Sequence, residues 1–445
     1  MKLWKTFYLI GCLSFICWTA VLCYLFVHKP NTIKYVFKYE EVNKEVDVLE
    51  NELRQQLKSN EVLLMTLKNI RQQIIKTGKD IKHILAENPS ALSLDRTLSI
   101  NKDPIICVLL FACNRVTVKR NLDQLLKYRP NPRNFPIVVS QDCGHEPTRR
   151  VIQSYGDQVT LIRQPDLSDI PGLVGKAKKF KGYYKISRHY GWALNQTFHV
   201  LNYDTVLIVE DDLDIAPDFF EYFRALYPLL KTDPTLYCIS AWNDNGKEGL
   251  VSNEPDLLYR SDFFPGLGWM LTKDIWIEFQ TTWPKAFWDD WIREPSQRKG
   301  RACIRPEMSR AKTFGKIGVS NGLFYEKHLK YIKLNEQSVP FTQINLTYLL
   351  KENYDVLWVK KVYGSPSVTL QQLQGSDIPS EGSIRVTYST KEGYKKTAKA
   401  LGLMDDFKSG VPRTGYRGVV TFMHKGRRIY LAPPPSWREY DITWR

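Results

Sequence analysis

The chain has 445 residues, of which 43% are hydrophobic and 25% are charged, and a formal net charge of +16. These values exclude a chain too short or too polar to bury a core, and they leave room for one large or two ordinary domains. The positive charge permits nucleic acid, acidic lipid or anionic small molecules as partners, but it does not choose among them.

The N-terminal stretch is apolar. Residues 7–27 contain no charged side chain, and a helix of that length crosses a hydrocarbon core of about 30 Å. We predict a transmembrane anchor preceded by a tail at 1–6, because the small-residue cleavage site of a secreted protein does not follow Val27. Basic residues flank both ends of the stretch, so its charge pattern does not decide whether that tail is cytoplasmic.

Residues 28–103 are predicted to form a stem with a heptad helix and a linker at 90–103. Apolar residues recur there in steps of three and four, with Gln56 and Asn60 among them. The pattern fits a coiled coil that joins copies of the chain, or a single amphipathic spacer helix. The positions of this seam are Val46, Leu49, Leu53, Gln56, Asn60, Leu63, Leu67, Ile70, Ile74, Thr77, Ile81 and Ile84.

From Pro104 onwards, short apolar runs alternate with helical patterns. The runs are PIICVLLFAC, FPIVVSQDCG, VTLIRQP and TVLIVEDD. Over 104–330 this alternation predicts an α/β fold with a mostly parallel sheet and helices on both faces. Residues 237–330 are rich in Trp, Gly and Asp, which favours an irregular region that carries a site.

The last part, 331–445, is predicted to be a smaller β-rich domain. A hairpin is expected in GVVTFMHKGRRIYLAPP, with its turn at Lys425 and Gly426.

Cysteines and glycosylation sequons indicate the compartment. Three of the eight cysteines lie in the apolar stretch, and the five others are widely separated and show no zinc-binding spacing. This fits an oxidising lumen with one or two disulfides and at least one unpaired thiol. Sequons begin at Asn195 and Asn345, and Asn345 is the better acceptor because Asn195 lies in a predicted helix.

Three carboxylates, Glu210, Asp211 and Asp212, end a predicted buried strand. Their repulsion and desolvation are tolerated most readily beside a cation, although a solvated acidic loop is the alternative. One or two carboxylates suit Mg²⁺ or Mn²⁺ completed by water and substrate phosphates. The segments ACNR, SQDCG and EDD should meet at one edge of the sheet, because the carboxyl ends of parallel strands lie there.

Several longer segments resemble the N-acetylglucosaminyltransferase I family over about residues 104–445. The segments are YKISRHYGWALNQ, LIVEDDLDIAPDFFEYF, SAWNDNGKE, LYRSDFFPGLGWML, WPKAFWDDWIREPSQRKGRACIRPEMSR and DFKSGVPRTGYRG. The resemblance implies a single-pass type II Golgi membrane enzyme with a luminal catalytic domain and a GT-A type fold. It also implies Mn²⁺, with Mg²⁺ as a substitute.

The implied reaction is an inverting transfer of GlcNAc from UDP-GlcNAc, in β1,2 linkage, to the α1,3-linked mannose of a high-mannose N-glycan. This step begins hybrid and complex N-glycans, and the 331–445 domain would complete the acceptor side.

The resemblance also implies roles for residues at the donor. These are Asp212 as the metal ligand, Asp211 near the ribose, Glu210 near the donor sugar, Asp142 and His189 at the uracil, and Arg115 at the diphosphate. Carboxylate and imidazole can satisfy the edge of uracil, and a guanidinium matches phosphate oxygens.

A second carboxylate centre lies in FWDDW. The resemblance nominates Asp289 as the catalytic base and places Trp288 at the UDP-GlcNAc site. We expect Trp288 and Trp291 to keep water from the base. For Asp290 we expect a helix-capping role, at the start of a helix that begins at Trp291.

The glycine-rich segment 313–327 is predicted to be either a plain surface loop or, by the resemblance, a loop over the donor with Val319 and Ser320 near the diphosphate. The implied disulfides are Cys113 with Cys143, and Cys238 with Cys303. Cys107 would stay a free, buried thiol.

Rival functions are a related β1,2-GlcNAc transferase that acts on another mannoside, and a catalytically silent lectin or scaffold. Nucleic-acid binding is disfavoured because the sequence has no basic helix or aromatic-basic motif.

Overall fold

The computed structural model describes residues 2–27, 44, 46–62, 64–66, 69, 103–316, 318–319, 322–375 and 381–445. Met1–Asn101 and Lys102–Arg445 form two compact units.

The N-terminal unit is helical where it is described. Lys2–Val27 forms helix α1, and residues 46–62 form a stem helix. Across the described residues, no helix combines the length and the apolar character that crossing a membrane requires. The anchor at 7–27 therefore stays a prediction. Seam positions 63, 67, 70, 74, 77, 81 and 84 lie outside the described residues, so the choice between coiled coil and single helix stays open.

The second unit is built on one large sheet. Its strands are β1 (Cys107–Ala112), β2 (Ile137–Gln141), β3 (Thr160–Arg163), β4 (Thr205–Glu210), β6 (Leu236–Ser240), β7 (Leu258–Ser261), β8 (Trp269–Thr272) and β9 (Ala302–Pro306). Their order is β3-β2-β1-β4-β8-β6-β9-β7. Strands β8 and β7 run against the other six. The predicted mostly parallel sheet is thus a mixed sheet.

Helices cover both faces of this sheet, as predicted. Helices α2 (Val118–Tyr128), α3 (Glu146–Gln153) and α6 (Phe219–Thr232) pack in one core, and α5 (Lys181–Asn195), α7 (Lys273–Gln280) and α8 (Trp288–Ile292) pack in the other. The short helix α4 (Lys176–Lys179) precedes α5 in the chain, and the short helix α9 (Pro295–Arg298) follows α8. Along β1, Val108 and Leu110 pack in one core with α2, while Leu109 and Phe111 pack in the opposite core with α5. This alternation follows from the two-residue period of a strand.

Residues 237–330 are more regular than expected. They supply nearly all of β6–β9, and Trp242, Trp269 and Trp276 are fully buried there. The expectation of an irregular region was wrong because these strands (LYCIS, LYRS, WMLT and ACIRP) contain few β-branched residues, which are the local indication of a strand. The tryptophans serve the core as well as the site.

A smaller sheet occupies the C-terminal part. Its strands are β11 (Ser367–Val368), β12 (Ile384–Thr387), β15 (Val420–His424) and β16 (Arg427–Ala432), in the order β11-β12-β16-β15. The β15–β16 hairpin is confirmed, and Lys425 and Gly426 both have positive φ, as a tight two-residue turn requires. The domain boundary at 330/331 stays a prediction.

The remaining elements are short strands and C-terminal helices. They are β5 (Leu213–Ile215) paired with β10 (Ala311–Thr313), β13 (Phe407–Lys408) paired with β14 (Val411–Pro412), and helices α10 (Leu323–Lys327), α11 (Lys351–Gly364), α12 (Leu370–Gln374) and α13 (Lys391–Ala400).

Both predicted disulfides are confirmed. Cys113–Cys143 joins the ends of β1 and β2, and Cys238–Cys303 joins β6 and β9. Cys107 is a free thiol in the core of β1, and burial raises its pKa. The first disulfide holds together two of the strand ends that carry the candidate site.

Candidate active site

The three predicted polar segments meet at one edge of the large sheet. In β1, Ala112 lies opposite Gln141 of β2, and Phe111 lies opposite Glu210 of β4. The residues that follow these positions therefore leave the sheet side by side. This confirms that the segments converge at the carboxyl ends of their strands.

Arg115 bridges the carboxylates beyond β4. Its Nη1 donates to Oδ1 of Asp211 at 2.7 Å and to Oδ2 of Asp212 at 2.8 Å. Glu210 instead accepts a hydrogen bond of 2.7 Å from the hydroxyl of Tyr190 on α5. The three carboxylates are thus bound from two elements, the segment after β1 and helix α5.

These carboxylates resist ionisation. Burial raises the pKa of Glu210 to about 7, and the charge of Asp212 adds to the rise while the Tyr190 hydrogen bond opposes it. Burial also raises the pKa of Asp211 to about 6 and raises that of Asp212, against the charge of Arg115. The cluster therefore holds more negative charge than its surroundings neutralise.

This excess fits a divalent cation held by one carboxylate. A Cβ at position 315 would overlap the Asp212 carboxylate. The backbone can therefore pass this close to the carboxylate oxygens only because residue 315 is glycine. Among the described residues, no group of three or more His, Cys, Asp or Glu side chains could hold a metal alone. A single protein carboxylate with water and diphosphate oxygens is a usual arrangement for Mg²⁺, and hard oxygen ligands also suit Mn²⁺.

Asp142 and His189 lie at the buried side of the same edge. Asp142 follows β2, and its amide donates to the carbonyl of Ala112 at 2.9 Å. Nε2 of His189 lies 2.8 Å from Oγ of Ser140. Burial lowers the pKa of His189 to about 4, although the charge of Asp142 opposes the shift. The imidazole is therefore neutral near pH 7 and offers a neutral polar edge.

A stack of aromatic rings connects the two carboxylate centres. Tyr190 lies between Phe111, at 3.8 Å, and Trp288, at 4.4 Å, measured between ring centroids. Trp288 continues the stack towards Trp269 and Trp283. Tyr190 was not predicted to belong to the site. Its position directly after His189 was the one local feature that could have indicated it.

Asp289 lies in the first turn of α8 and is 45% exposed at its side chain. Its Oδ2 accepts a hydrogen bond of 2.9 Å from Nη1 of Arg293, which is buried. The expectation that Trp288 and Trp291 keep water from Asp289 is wrong, since the tryptophans pack into the core beneath the carboxylate.

Asp290 does not cap a helix. Helix α8 begins at Trp288 after Phe287, whose left-handed backbone turns the chain into the helix. Asp290 is bound by Arg293 at 3.0 Å and by Nζ of Lys408 at 2.9 Å. Burial acts to raise the pKa of Asp290, but the Lys408 hydrogen bond and the charges of Arg293 and Lys408 outweigh it, and the pKa is lowered.

Tyr190 links the two centres. Its hydroxyl donates to Glu210, and its ring stacks on Trp288, the residue before Asp289. Burial raises the pKa of this hydroxyl well above the usual value, and the charges of Glu210, Asp212 and Asp289 add to that rise. The fold thus brings together Asp212 and Asp289, which are far apart in the sequence.

The glycine-rich segment lies against this site. The hypothetical Cβ of Gly318 lies 3.3 Å from Nη2 of Arg115, and a Cβ at Gly182 of α5 would overlap the side chain of Val319. Val319 is otherwise exposed, and Ser320 lies outside the described residues. The segment therefore reaches from the acidic cluster to the first turn of α5.

A family model described as the GNT-I family matches residues 10–444. The chain belongs to the GNT-I family. A relative from Arabidopsis thaliana named alpha-1,3-mannosyl-glycoprotein 2-beta-N-acetylglucosaminyltransferase is 38% identical over 347 residues, which cover 76% of each chain. The chain is thus a glycosyltransferase, and the mixed α/β sheet agrees with the GT-A-like fold predicted from the sequence.

Solved structures show only distant likeness. The mannosyltransferase PcManGT from Pyrobaculum calidifontis, in complex with GDP-Man and Mn²⁺, is 16% identical, covers 46% of this chain and 55% of its own, and gives a TM-score of 0.30. A segment of S. aureus TarS in complex with UDP-GlcNAc is 11% identical, covers 62% and 68%, and gives 0.32.

Proposed function

We propose that this chain transfers GlcNAc from UDP-GlcNAc, with inversion and in β1,2 linkage, to the α1,3-linked mannose of a high-mannose N-glycan. GlcNAc transfer rests on membership of the GNT-I family and on the Arabidopsis relative of that name. The reaction would begin hybrid and complex N-glycans. The observation that carries the mechanism is the Tyr190 side chain, which donates to Glu210 and stacks on Trp288, the residue before Asp289.

UDP-GlcNAc would bind at the buried side of the site. Asp142 and the neutral His189 would face the uracil, and Asp211 and Glu210 would face the ribose and the sugar. Trp288 would form part of the wall beside the sugar. Such a buried, largely rigid pocket orients the anomeric carbon before reaction.

Asp212 would hold Mn²⁺, or Mg²⁺ in its place. The bound cation would stabilise the negative charge of the leaving diphosphate. Arg115 binds both Asp211 and Asp212. We propose that its guanidinium turns to the diphosphate in the complex, because a bidentate contact with phosphate oxygens is a preferred geometry for arginine. Val319 and Ser320 would lie beside the diphosphate.

Asp289 would act as the general base. Arg293 holds one of its carboxylate oxygens, which leaves the other to take the proton of the mannose hydroxyl as that oxygen attacks the anomeric carbon. Partial exposure suits this role, since the acceptor is a large glycan that must arrive from solvent. Residues 331–445 contribute Lys408 to this centre, where its Nζ donates to Asp290.

We also propose a Golgi location with a luminal catalytic unit, an N-terminal anchor and a stem that can join copies of the chain. Two disulfides agree with an oxidising compartment. Asn345 is exposed, whereas the amide oxygen of Asn195 accepts a hydrogen bond from Trp276. Asn345 thus remains the better candidate for glycosylation.

The test is to incubate the full chain, purified in detergent, with UDP-GlcNAc, Mn²⁺ and a five-mannose N-glycan, and to measure the mass of the product. We expect a gain of one GlcNAc, and we expect β1,2 linkage by NMR. An O-mannosyl peptide is assayed in parallel. Transfer to that peptide alone would favour the rival transferase, and transfer to neither acceptor would favour a silent lectin or scaffold.

A further inference from the structure

A cavity of about 470 Å³ lies beside the C-terminal segment, and we call it the C-terminal cavity. Its volume falls in the range of small-molecule sites, about 300–1,000 Å³. None of its lining residues belongs to the donor or acceptor centres described above. The residues that matter here are Arg260, Arg298, Lys351, Arg417, Trp437 and Arg438.

Three of its cations already have carboxylate partners. Arg260 is paired with Asp233 at 2.8 Å, and both are buried. Lys351 and Arg417 both bind Oδ2 of Asp355, at 2.5 and 3.0 Å. These groups therefore form the framework of the cavity, and little of their charge is uncompensated.

Arg298 is different. It is only 9% exposed, and its Nε has no hydrogen-bond partner among the described residues. Within the same residues, the carboxylate nearest to it is Asp262 at 4.0 Å, beyond hydrogen-bond distance. Asp262 already accepts hydrogen bonds from the hydroxyl of Tyr440 at 2.6 Å and from the amide of Arg417 at 2.8 Å.

Arg438 adds a second cation at the rim. It is exposed, and its Nη1 donates only to the backbone carbonyls of Pro435 and Trp437 in the described structure. The rings of Trp437 and Tyr440 lie edge to face, with centroids 4.9 Å apart. Among the described residues, the cavity thus combines two guanidinium groups that have no carboxylate within hydrogen-bond distance, a further carboxylate at Glu439, and a half-buried aromatic surface.

Asp262 Oδ1 supplies Arg298 with a counter-charge at 4.0 Å but accepts no hydrogen bond from it. Burying a guanidinium whose N–H groups lack acceptors is costly. A tetrahedral oxyanion would supply those acceptors, and the fork of a guanidinium fits its oxygens. We propose that the C-terminal cavity binds a phosphate or sulfate ester of a sugar, with the oxyanion at Arg298 and the ring against Trp437, at a site separate from that of UDP-GlcNAc.

The experiment titrates the full chain in detergent with glucose 6-phosphate, glucose 6-sulfate, inorganic phosphate and glucose by isothermal calorimetry. We expect saturable binding of at least one ester, weaker binding of inorganic phosphate, and none of glucose. The two ester arms decide between phosphate and sulfate. Binding of glucose as tight as that of the esters, or no saturable binding of either ester, would overturn the proposal.

Substitutions test whether the sugar ester binds in the C-terminal cavity. Arg298→Gln should weaken ester binding about tenfold or more, because a charge-assisted contact is lost. Arg438→Gln changes an exposed side chain and should weaken it about threefold, which keeps the proposal testable if Arg298→Gln fails to fold. Lys360 is an exposed residue of α11 outside the cavity. Lys360→Gln removes the same charge and should leave ester binding unchanged.

Arg115→Gln distinguishes the two anion sites. We expect it to weaken UDP-GlcNAc binding and to leave ester binding intact. If Arg115→Gln abolished ester binding while Arg298→Gln did not, the ester would occupy the nucleotide-sugar site and the proposal would be wrong. Transferase activity, measured on the same samples, reports on the proposed function independently.

Discussion

The two carboxylate centres of this enzyme differ in exposure and in their partners. Asp212 is 14% exposed at its side chain and shares the charge of Arg115 with a neighbouring carboxylate. Asp289 and Asp290 are 45% and 42% exposed, and Arg293 binds both of them. The first centre is enclosed and short of positive charge, whereas the second is open and paired.

The comparison shows how surroundings separate chemically identical groups. At Asp211, burial outweighs the charge of Arg115 and raises the pKa to about 6. At Asp290, the Lys408 hydrogen bond and two positive charges outweigh burial and lower the pKa. The first balance favours a bound cation, and the second keeps the partly exposed Asp290 carboxylate ionised.

Asp289→Asn should give the largest effect. The amide keeps the shape of the side chain but cannot take a proton, so we expect kcat to fall by about 10²–10⁴-fold with UDP-GlcNAc affinity nearly unchanged. Steady-state kinetics and donor calorimetry measure both quantities. Asp290→Asn is the matched control and should lose less than about tenfold. Equal turnover in Asp289→Asn and the parent would remove Asp289 from the mechanism.

Asp212→Asn should act on the enclosed centre. We expect Mn²⁺-dependent donor binding to weaken by about 100-fold or more, because the one proposed protein ligand to the cation is lost. Calorimetry with and without Mn²⁺ checks this. Asp214→Asn breaks a nearby ion pair with Arg120 and should leave the metal dependence unchanged. Retained metal-dependent binding in Asp212→Asn would contradict the assignment.

His189 should make the enclosed centre sensitive to acid. Its pKa is about 4 in the folded chain and 6.5 as a free group, so the folded state binds fewer protons between these values. The stabilisation is present above pH 6.5 and is lost as pH falls towards 4. Between pH 7 and 5 we expect the free energy of unfolding to fall by about 2 kcal/mol through this group.

Urea unfolding at several pH values, compared between the parent and His189→Gln, isolates this contribution. In His189→Gln, the free energy of unfolding should lack the part of its pH dependence between pH 7 and 5 that His189 contributes. The same slope in both proteins would show that His189 titrates normally in the fold.

Lys408→Gln should have the smallest effect, on the open centre. The Lys408–Asp290 pair is partly exposed, so water screens it, and we expect kcat to fall by only about twofold to fivefold. Lys408→Arg should restore most of the loss, and donor affinity should stay unchanged in both variants. A loss of donor affinity instead of kcat would place Lys408 on the enclosed centre.

Much of the fold followed from local patterns. Apolar runs predicted the four strands β1–β4, and Lys425-Gly426 predicted the hairpin turn. Strands β6–β9 were missed because they contain few β-branched residues and lie between aromatic and glycine-rich segments. Asp290 was misjudged because its partner Lys408 is 118 residues away.

The sequence by itself determined the carboxylates at the end of a buried strand, the fold class and, through the resemblance, the disulfides and the family. These features depend on neighbouring residues or on long motifs. Tertiary structure alone decided that Tyr190 joins the two carboxylate centres, that Lys408 reaches Asp290, and that Arg298 is buried beyond hydrogen-bond distance of Asp262. Such contacts depend on which distant segments pack together, and packing is set by the whole core and not by a local pattern.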